Sequence, residues 1–280
     1  GGEFAPFLAV LGGLGFVTLL SWLAIARPTT PGDDAPEPPV GHPDRTRLLL
    51  LGALSSIFVG GGALYTTFIN GRITIDPNAV RTARWIRDYA DERGWTYPEN
   101  YVLSEWGRNR MYNYVVNGQS RSYGYAQQNY ESFIFGTDPD EWYDQFEGRV
   151  GFVVTRDFEH VGTVRSTRTY TRLHSRLGSA ADGAPGVGHY RAVYSGPNDE
   201  YRVFTVVPGA TLTGTADGPT LVSTTVSIAG AEFEYARRVE PAEDGSFEVI
   251  VAHPGTYRLG DRRVAVTETD VLDGRTVGVQ

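Results

Sequence analysis

Aromatic and planar polar side chains concentrate between residues 101 and 133, in YVLSEWGRNRMYNYVVNGQSRSYGYAQQNYESF. Aromatic faces stack on sugar rings, and the planar ends of Asn, Gln and Arg pair with hydroxyls and anions. The candidate substrate-binding residues lie at the start of this stretch: Trp106, Arg108, Asn109, Arg110, Tyr112 and Tyr114. The alternative is a helix that packs its tyrosines on a core and leaves its arginines in solvent. The residues alone favour neither interpretation.

Other kinds of chemistry are limited by composition. The chain has no cysteine, and all 25 of its basic residues are arginine, so thiolate metal sites, cysteine nucleophiles and lysine Schiff bases are excluded. The five histidines show no ligand spacing, and we expect no metal site. Asp138-Pro-Asp140 matches the Asp-x-Asp that some sugar-nucleotide transferases use for a metal, but a helix cap with a first-turn acid explains it better. No residue can be named as catalytic.

The chain is acidic, with a formal net charge of −8, which argues against nucleic acid as a partner. An acidic chain whose only cation is arginine suggests a salt-loving, GC-rich source. A codon-composition effect is the alternative explanation.

Two long uncharged runs predict membrane-spanning helices, at about residues 4–26 and 48–69. At about 1.5 Å per helical residue, each run is long enough to cross a hydrocarbon core of roughly 30 Å. A proline-rich loop joins them, and its three arginines lie beside the membrane ends of the spans. The positive-inside rule therefore predicts a cytoplasmic loop and an extracytoplasmic C-terminal portion. We expect a multi-pass protein of the cell membrane, in contact with the bilayer, and a chain that is the C-terminal piece of a longer one.

The portion after the spans divides into two segments that differ in their pattern of apolar and turn residues. Residues 71–207 alternate helical patterns with short apolar strands, which predicts an extracytoplasmic α/β domain. The helical segments are 77–93, 108–117, a third from Asp138 and a basic one at 163–177. Residues 208–280 show short Val- and Thr-rich runs between Gly-containing turns, which predicts a β-sandwich. The expected fold is thus a two-span α-helical membrane anchor, an α/β domain and an all-β sandwich.

The order of these segments resembles a known family. A last membrane span, an amphipathic helix and YPENYVLSEWGRN are similar to the start of the external domain of the archaeal oligosaccharyltransferase catalytic subunit. Downstream, RVGFVVT, LHSRLGS, YRAVYS, VFTVVPGATLTGTA and FEYARRVEPAEDGSFEVIVAHPGTY resemble segments of haloarchaeal members. The resemblance covers most of residues 48–280 in organisation.

The chain departs from that family at its most specific motif, Trp-Trp-Asp-Tyr-Gly. When the two sequences are aligned on Tyr-Val-Leu-Ser, the motif corresponds to residues 105–109, and only Trp106 is identical. The resemblance implies that the motif holds the acceptor's Ser or Thr hydroxyl through its Asp, and Gly107 has no side chain for this. Arg108 and Arg110 suit an anion instead, such as a lipid phosphate or an acidic sugar.

The resemblance implies a membrane glycosyltransferase that moves a glycan from a polyprenyl-phosphate carrier at the outer membrane face, in protein glycosylation. It implies as partners the polyprenyl-phosphate-linked glycan and an acceptor surface protein. The family's catalytic acids and its divalent metal, Mg or Mn, belong to an earlier membrane half, so this chain is expected to bind no cofactor. A non-catalytic, membrane-anchored surface protein that binds glycan or S-layer is the alternative.

Overall fold

A computed structural model of the chain describes residues 76–157, 167–181 and 183–279, together with isolated positions between 14 and 56. The two predicted spans, about 4–26 and 48–69, lie almost wholly outside these residues. Among the helices that can be described, none combines the length and the apolar composition required to cross a membrane. A compact unit comprises residues 75–280.

The α/β half of this unit is built on a four-stranded sheet. Its strands are β1 (Val102–Leu103), β2 (Phe152–Arg156), β3 (Tyr190–Ser195) and β4 (Tyr201–Val206), in the order β1-β2-β4-β3. β1 pairs in parallel with β2, and the other pairs are antiparallel. The helices are α1 (Pro77–Glu92), α2 (Trp106–Asn117), α3 (Tyr123–Ile134) and the short α4 (Tyr143–Phe146), which follows a 3-10 turn at Asp140–Trp142.

Alternation along β2 gives this sheet two buried faces. Phe152 and Val154 point to one side, where they pack with α1 and α2, whereas Val153 points to the other side. There α3 contributes Tyr130 and Phe133 to a second core. The helix that carries all six candidate residues, α2, is therefore held on one face of the sheet, directly after β1.

The ends of α1 and α2 follow their sequence signals. Asp76 caps α1 by accepting a hydrogen bond from the backbone N–H of Asn78 at 2.9 Å, with Pro77 in the first turn. α2 ends at Gly118, whose φ of 75° is the left-handed conformation that favours glycine at this position. Both helices were predicted, although α2 begins two residues earlier, at Trp106.

The C-terminal half consists of two packed sheets, as the turn pattern predicts. Its elements are β5 (Ala210–Thr215), β6 (Thr220–Ile228), β7 (Ala231–Val239), β8 (Ser246–Val251), β9 (Gly255–Leu259), β10 (Arg262–Val266), α5 (Glu268–Leu272) and β11 (Thr276–Gly278). One sheet has the order β10-β9-β6-β7 and the other β11-β5-β8. Leu212 and Val249 of one sheet share a buried core with Tyr235 and Tyr257 of the other. This is a β-sandwich.

Two features differ from the sequence-based expectations. α3 was not predicted, because its apolar residues are mixed with Gln, Asn and Ser. Of the basic helix expected at 163–177, the structure has a π-helical turn at Thr171–Ser175, and residues 158–166 lie outside the described part. The α/β half and the sandwich lie in the same compact unit, and Ile228 of β6 packs into the core of the α/β half. The boundary at 207/208 stays a prediction.

Candidate functional site

One exposed face of α2 carries three of the six candidate residues. Trp106, Arg110 and Tyr114 are spaced by four residues, which places them in a row along one side of a helix. Trp106 is 48% exposed and Tyr114 is 68% exposed. The guanidinium carbon of Arg110 lies 5.0 Å from the ring centroid of Tyr123 at the start of α3. We call Trp106, Arg110 and Tyr114 the α2 face.

Arg108 points instead towards the end of α1. Its Nη1 donates a hydrogen bond to the Tyr201 hydroxyl at 2.6 Å, and this hydroxyl donates to Oδ2 of Asp76 at 2.8 Å. The same Nη1 lies 3.8 Å from Oδ2 of Asp76, so the guanidinium and the carboxylate also form an ion pair. Arg108 thus joins α2 to β4 and to the α1 cap.

The Asp76 carboxylate is kept ionised by these contacts. Burial alone would raise its pKa, but hydrogen bonds from the Asn78 backbone and the Tyr201 hydroxyl, together with the Arg108 charge, outweigh burial and lower the pKa below its ordinary value. The negative charge that faces Arg108 is therefore present at neutral pH. An external anion at Arg108 must compete with it.

Asn109 lies inside the protein, between α2 and β1. Its side chain is fully buried, and Nδ2 donates to the Val102 carbonyl at 2.7 Å. One turn later, Asn113 accepts from the Val102 N–H at 3.0 Å and donates to the Val102 carbonyl at 2.9 Å. Because a neighbouring strand would make the same two bonds, Asn113 satisfies the free edge of β1.

Tyr112 is also buried, with 1% exposure, in the core between α1, α2 and the sheet. Its hydroxyl has no hydrogen-bond partner among the described residues, and burial raises its pKa well above the ordinary value. Sequence reasoning expected all six candidate residues to contact substrate. The structure places the side chains of Asn109 and Tyr112 in the interior, because helix periodicity turns them towards the sheet. Arg108 is half-buried against its partners.

Sequence reasoning missed the structural role of Asn113. Asn109, Asn113 and Asn117 recur every four residues, and Nδ2 of Asn117 donates to Oδ1 of Asn113 at 3.1 Å. This ladder of amides at helical spacing is a visible signal. A buried polar stripe on a helix indicates that the neighbouring element has backbone groups to satisfy.

Asp140 has a structural role and does not form part of a metal cluster. Its carboxylate oxygens both accept from the Gly188 N–H at 3.0 Å, and Oδ2 accepts from Nη1 of Arg237 at 3.1 Å. These bonds tie the turn before α4 to the segment before β3 and to β7 of the sandwich. Asp138, in contrast, is exposed. Across the described residues, no group of three or more His, Asp or Glu is arranged to hold a metal ion.

The fold has known relatives among solved structures, although no family model and no curated protein matches the sequence. One is archaeal oligosaccharyltransferase AglB from Archaeoglobus fulgidus, solved with an inhibitory peptide and a dolichol-phosphate. The match covers 98% of this chain and 50% of the solved chain, with a TM-score of 0.58 and 14% sequence identity. The chain shares the fold of the matched half of this oligosaccharyltransferase. A second structure of that enzyme, tethered to an acceptor peptide with an NVT sequon, matches 98% of this chain and 51% of its own, with a TM-score of 0.57 and 14% identity.

The likeness to the oligosaccharyltransferase is one of architecture and covers part of that protein. This chain spans about half the length of the solved chains that it matches. A further structure of the Archaeoglobus fulgidus enzyme, in complex with Zn and sulfate, covers 81% of this chain and 51% of its own at a TM-score of 0.52 and 14% identity. The resemblance inferred from the sequence is confirmed at the level of the fold.

Proposed function

We propose that this chain is the C-terminal part of a membrane glycosyltransferase of oligosaccharyltransferase type. The parent protein would transfer a glycan from a polyprenyl-phosphate carrier to an acceptor surface protein at the outer membrane face. The observation that carries the proposal is the match of 98% of the chain to half of an archaeal oligosaccharyltransferase at a TM-score of 0.58. The dolichol-phosphate and acceptor-peptide complexes of that enzyme support the choice of partners.

In this proposal the α2 face contacts the lipid-linked glycan. Trp106 and Tyr114 offer exposed aromatic surface to sugar rings, and Arg110 offers a guanidinium to a phosphate or an acidic sugar. Arg108, Asn109 and Tyr112 hold α2 in place from inside. The catalytic residues and the divalent metal of the reaction would come from the other half of the parent protein.

The membrane anchor belongs to the same proposal. The runs at about 4–26 and 48–69 would span the bilayer twice, and residues from 71 onwards would lie outside the cytoplasm. A protease added to whole cells should then cleave after residue 71 and spare the proline-rich loop at 28–47. Cleavage confined to that loop would contradict this orientation.

A second candidate is a non-catalytic, membrane-anchored protein that binds surface glycan or S-layer. Residues 105–109 favour it, because Gly107 has no carboxylate where the family motif has its Asp. The two candidates differ in one measurable respect. A transferase turns over the lipid-linked glycan, whereas a binding protein leaves the amount of that lipid unchanged.

The α2 face can be tested by glycan transfer in membranes of source cells that express defined variants. The double variant Trp106→Ala, Arg110→Ala should transfer labelled glycan to surface protein at least tenfold more slowly than the wild type. The control is Gln127→Ala, Gln128→Ala, which removes two exposed side chains of α3 without touching the α2 face. Equal transfer rates for the face variant and the control would refute the role of the α2 face.

A further inference from the structure

A cleft at the start of α3 carries a second concentration of arginine and tyrosine. It has a volume of about 230 Å³ and lies between the turn before β1, the start of α3 and the turn after α4. Its principal lining residues are Tyr97, Tyr101, Arg121, Tyr125 and Arg149. None of its lining residues carries a carboxylate, although the chain as a whole has a net charge of −8.

The two arginines of the cleft are available to a ligand. Within the described part of the chain, neither Arg121 nor Arg149 forms an ion pair with a carboxylate. The guanidinium carbon of Arg149 lies 3.9 Å from the ring centroid of Tyr125, so the guanidinium plane is held by the ring. Such a contact orients a guanidinium and leaves its N–H edge free for a bidentate bond.

The tyrosines of the cleft differ in exposure: Tyr101 is buried at its base, and Tyr97 is exposed at its rim. Tyr101 is 3% exposed, and its hydroxyl donates to the Ser122 carbonyl at 3.1 Å. It meets Tyr125 edge to face, with ring centroids 5.9 Å apart. Tyr97 at the rim is 47% exposed and presents aromatic surface to the solvent. Aromatic walls of this kind accept the C–H face of a sugar ring.

We propose that this cleft binds a single acidic sugar residue, a hexuronate, through Arg121 and Arg149 to its carboxylate and through Tyr97 and Tyr125 to its ring. The volume is below the roughly 300 Å³ at which sites for drug-sized ligands begin, and it suits one six-membered ring. The two guanidiniums, which have no carboxylate partner among the described residues, select the carboxylate, and the aromatic rings select the pyranose. The proposal does not rest on the transferase function.

The test is an isothermal titration calorimetry experiment, in which methyl β-glucuronide is titrated into the purified chain at fixed ionic strength. Ionic strength is fixed because salt screens arginine–carboxylate contacts. The glucuronide should bind, and the double variant Arg121→Ala, Arg149→Ala should weaken its affinity roughly ten- to hundredfold. Arg149→Lys should retain part of the affinity, since a point charge replaces a planar fork. All three changes lie at exposed positions, so the variants should fold.

The control is Arg84→Ala, which removes one positive charge at an exposed position of α1 and should leave the affinity unchanged. Methyl β-glucoside, which lacks the carboxylate, should not bind, and inorganic sulfate should not displace the glucuronide at equal concentration. Equal binding of the two sugars, full displacement by sulfate, or unchanged affinity in the double arginine variant would each overturn the proposal. The Trp106→Ala, Arg110→Ala variant should still bind glucuronide, so failure of the transferase proposal is separable from failure of this one.

Discussion

Arg108 donates a hydrogen bond of 2.6 Å to the hydroxyl of Tyr201, across 93 positions of sequence. The same hydroxyl donates a hydrogen bond to Asp76, and the guanidinium also forms an ion pair with Asp76. Arg108 therefore connects the start of α2 to the start of β4 and to the cap of α1. The side chain of Arg108 keeps 30% of its exposure. Arg108 therefore differs in environment from Arg110, which belongs to the exposed α2 face.

Arg108→Ala should destabilise the fold, and Arg110→Ala should not. Removal of Arg108 leaves Tyr201 and the ionised Asp76 without their cation, and the free energy of unfolding should fall by about 1–2 kcal/mol. Arg110→Ala removes an exposed side chain and should change it by less than about 0.5 kcal/mol. Urea unfolding of the two variants checks the difference, and equal losses would contradict the inward role of Arg108.

Asn113→Ala should be among the most destabilising changes in α2. It removes the acceptor of the Val102 N–H and one of the two amide donors to the Val102 carbonyl, while Asn109 remains as the other donor. A buried N–H left unpaired should cost about 1–3 kcal/mol. Asn113→Asp should also destabilise, because a carboxylate cannot donate to the Val102 carbonyl. The matched control is Asn129→Ala on α3, whose Nδ2 donates to its own helix at Tyr125. Similar unfolding midpoints for Asn113→Ala and the control would count against the role of Asn113 at β1.

Asp140→Ala should destabilise the protein strongly, whereas Asp138→Ala should be close to neutral. The first change removes the acceptor for the Gly188 N–H and leaves the largely buried Arg237 without its carboxylate, at a cost of about 2–3 kcal/mol. Asp138 is exposed, and its loss should cost less than about 0.5 kcal/mol. Thermal unfolding of both variants, with and without added Mn²⁺, measures this. A Mn²⁺-dependent shift that either substitution removes would favour the metal interpretation of Asp-x-Asp.

Acidification should weaken the fold through His253. Burial, with a smaller contribution from Arg191, lowers its pKa to about 3, against about 6.5 in an unfolded chain. Between these values the unfolded state binds more protons, so stability is lost as the pH falls from about 6.5 towards 3. His253→Gln cannot titrate there, and between pH 7 and pH 5 it should lose about 2 kcal/mol less than the wild type. His174, whose pKa is lowered to about 4, contributes to both proteins. Identical losses in wild type and variant would show that His253 is not held neutral.

Local signals in the sequence were enough to predict α1, the end of α2 and the sandwich. Asp76, Pro77 and the apolar spacing up to Ala90 predicted α1, and Gly118 predicted the end of α2. Period-two alternation between turn glycines predicted the sandwich. These features depend on residues close together in the chain, where propensity and capping decide the structure.

The orientation of α2 could not be predicted in the same way. Which of its residues face inward depends on Tyr201 and Val102, and Tyr201 is distant in sequence. Of the candidate aromatic residues, Trp106 and Tyr114 are exposed, whereas Tyr112 is buried. Likewise, Asp140 finds its partners in Gly188 and Arg237, which no local pattern connects to it.

The most direct measurement of the transferase proposal is a deletion of the gene that encodes this chain in its source cells. Mass spectrometry would follow both the glycans on surface proteins and the pool of polyprenyl-phosphate-linked glycan. The proposal predicts that surface proteins lose a glycan and that the lipid-linked form of the same glycan accumulates. It also predicts that a plasmid copy of the gene reverses both changes. Unchanged surface glycans together with an unchanged lipid-linked pool would contradict the proposal.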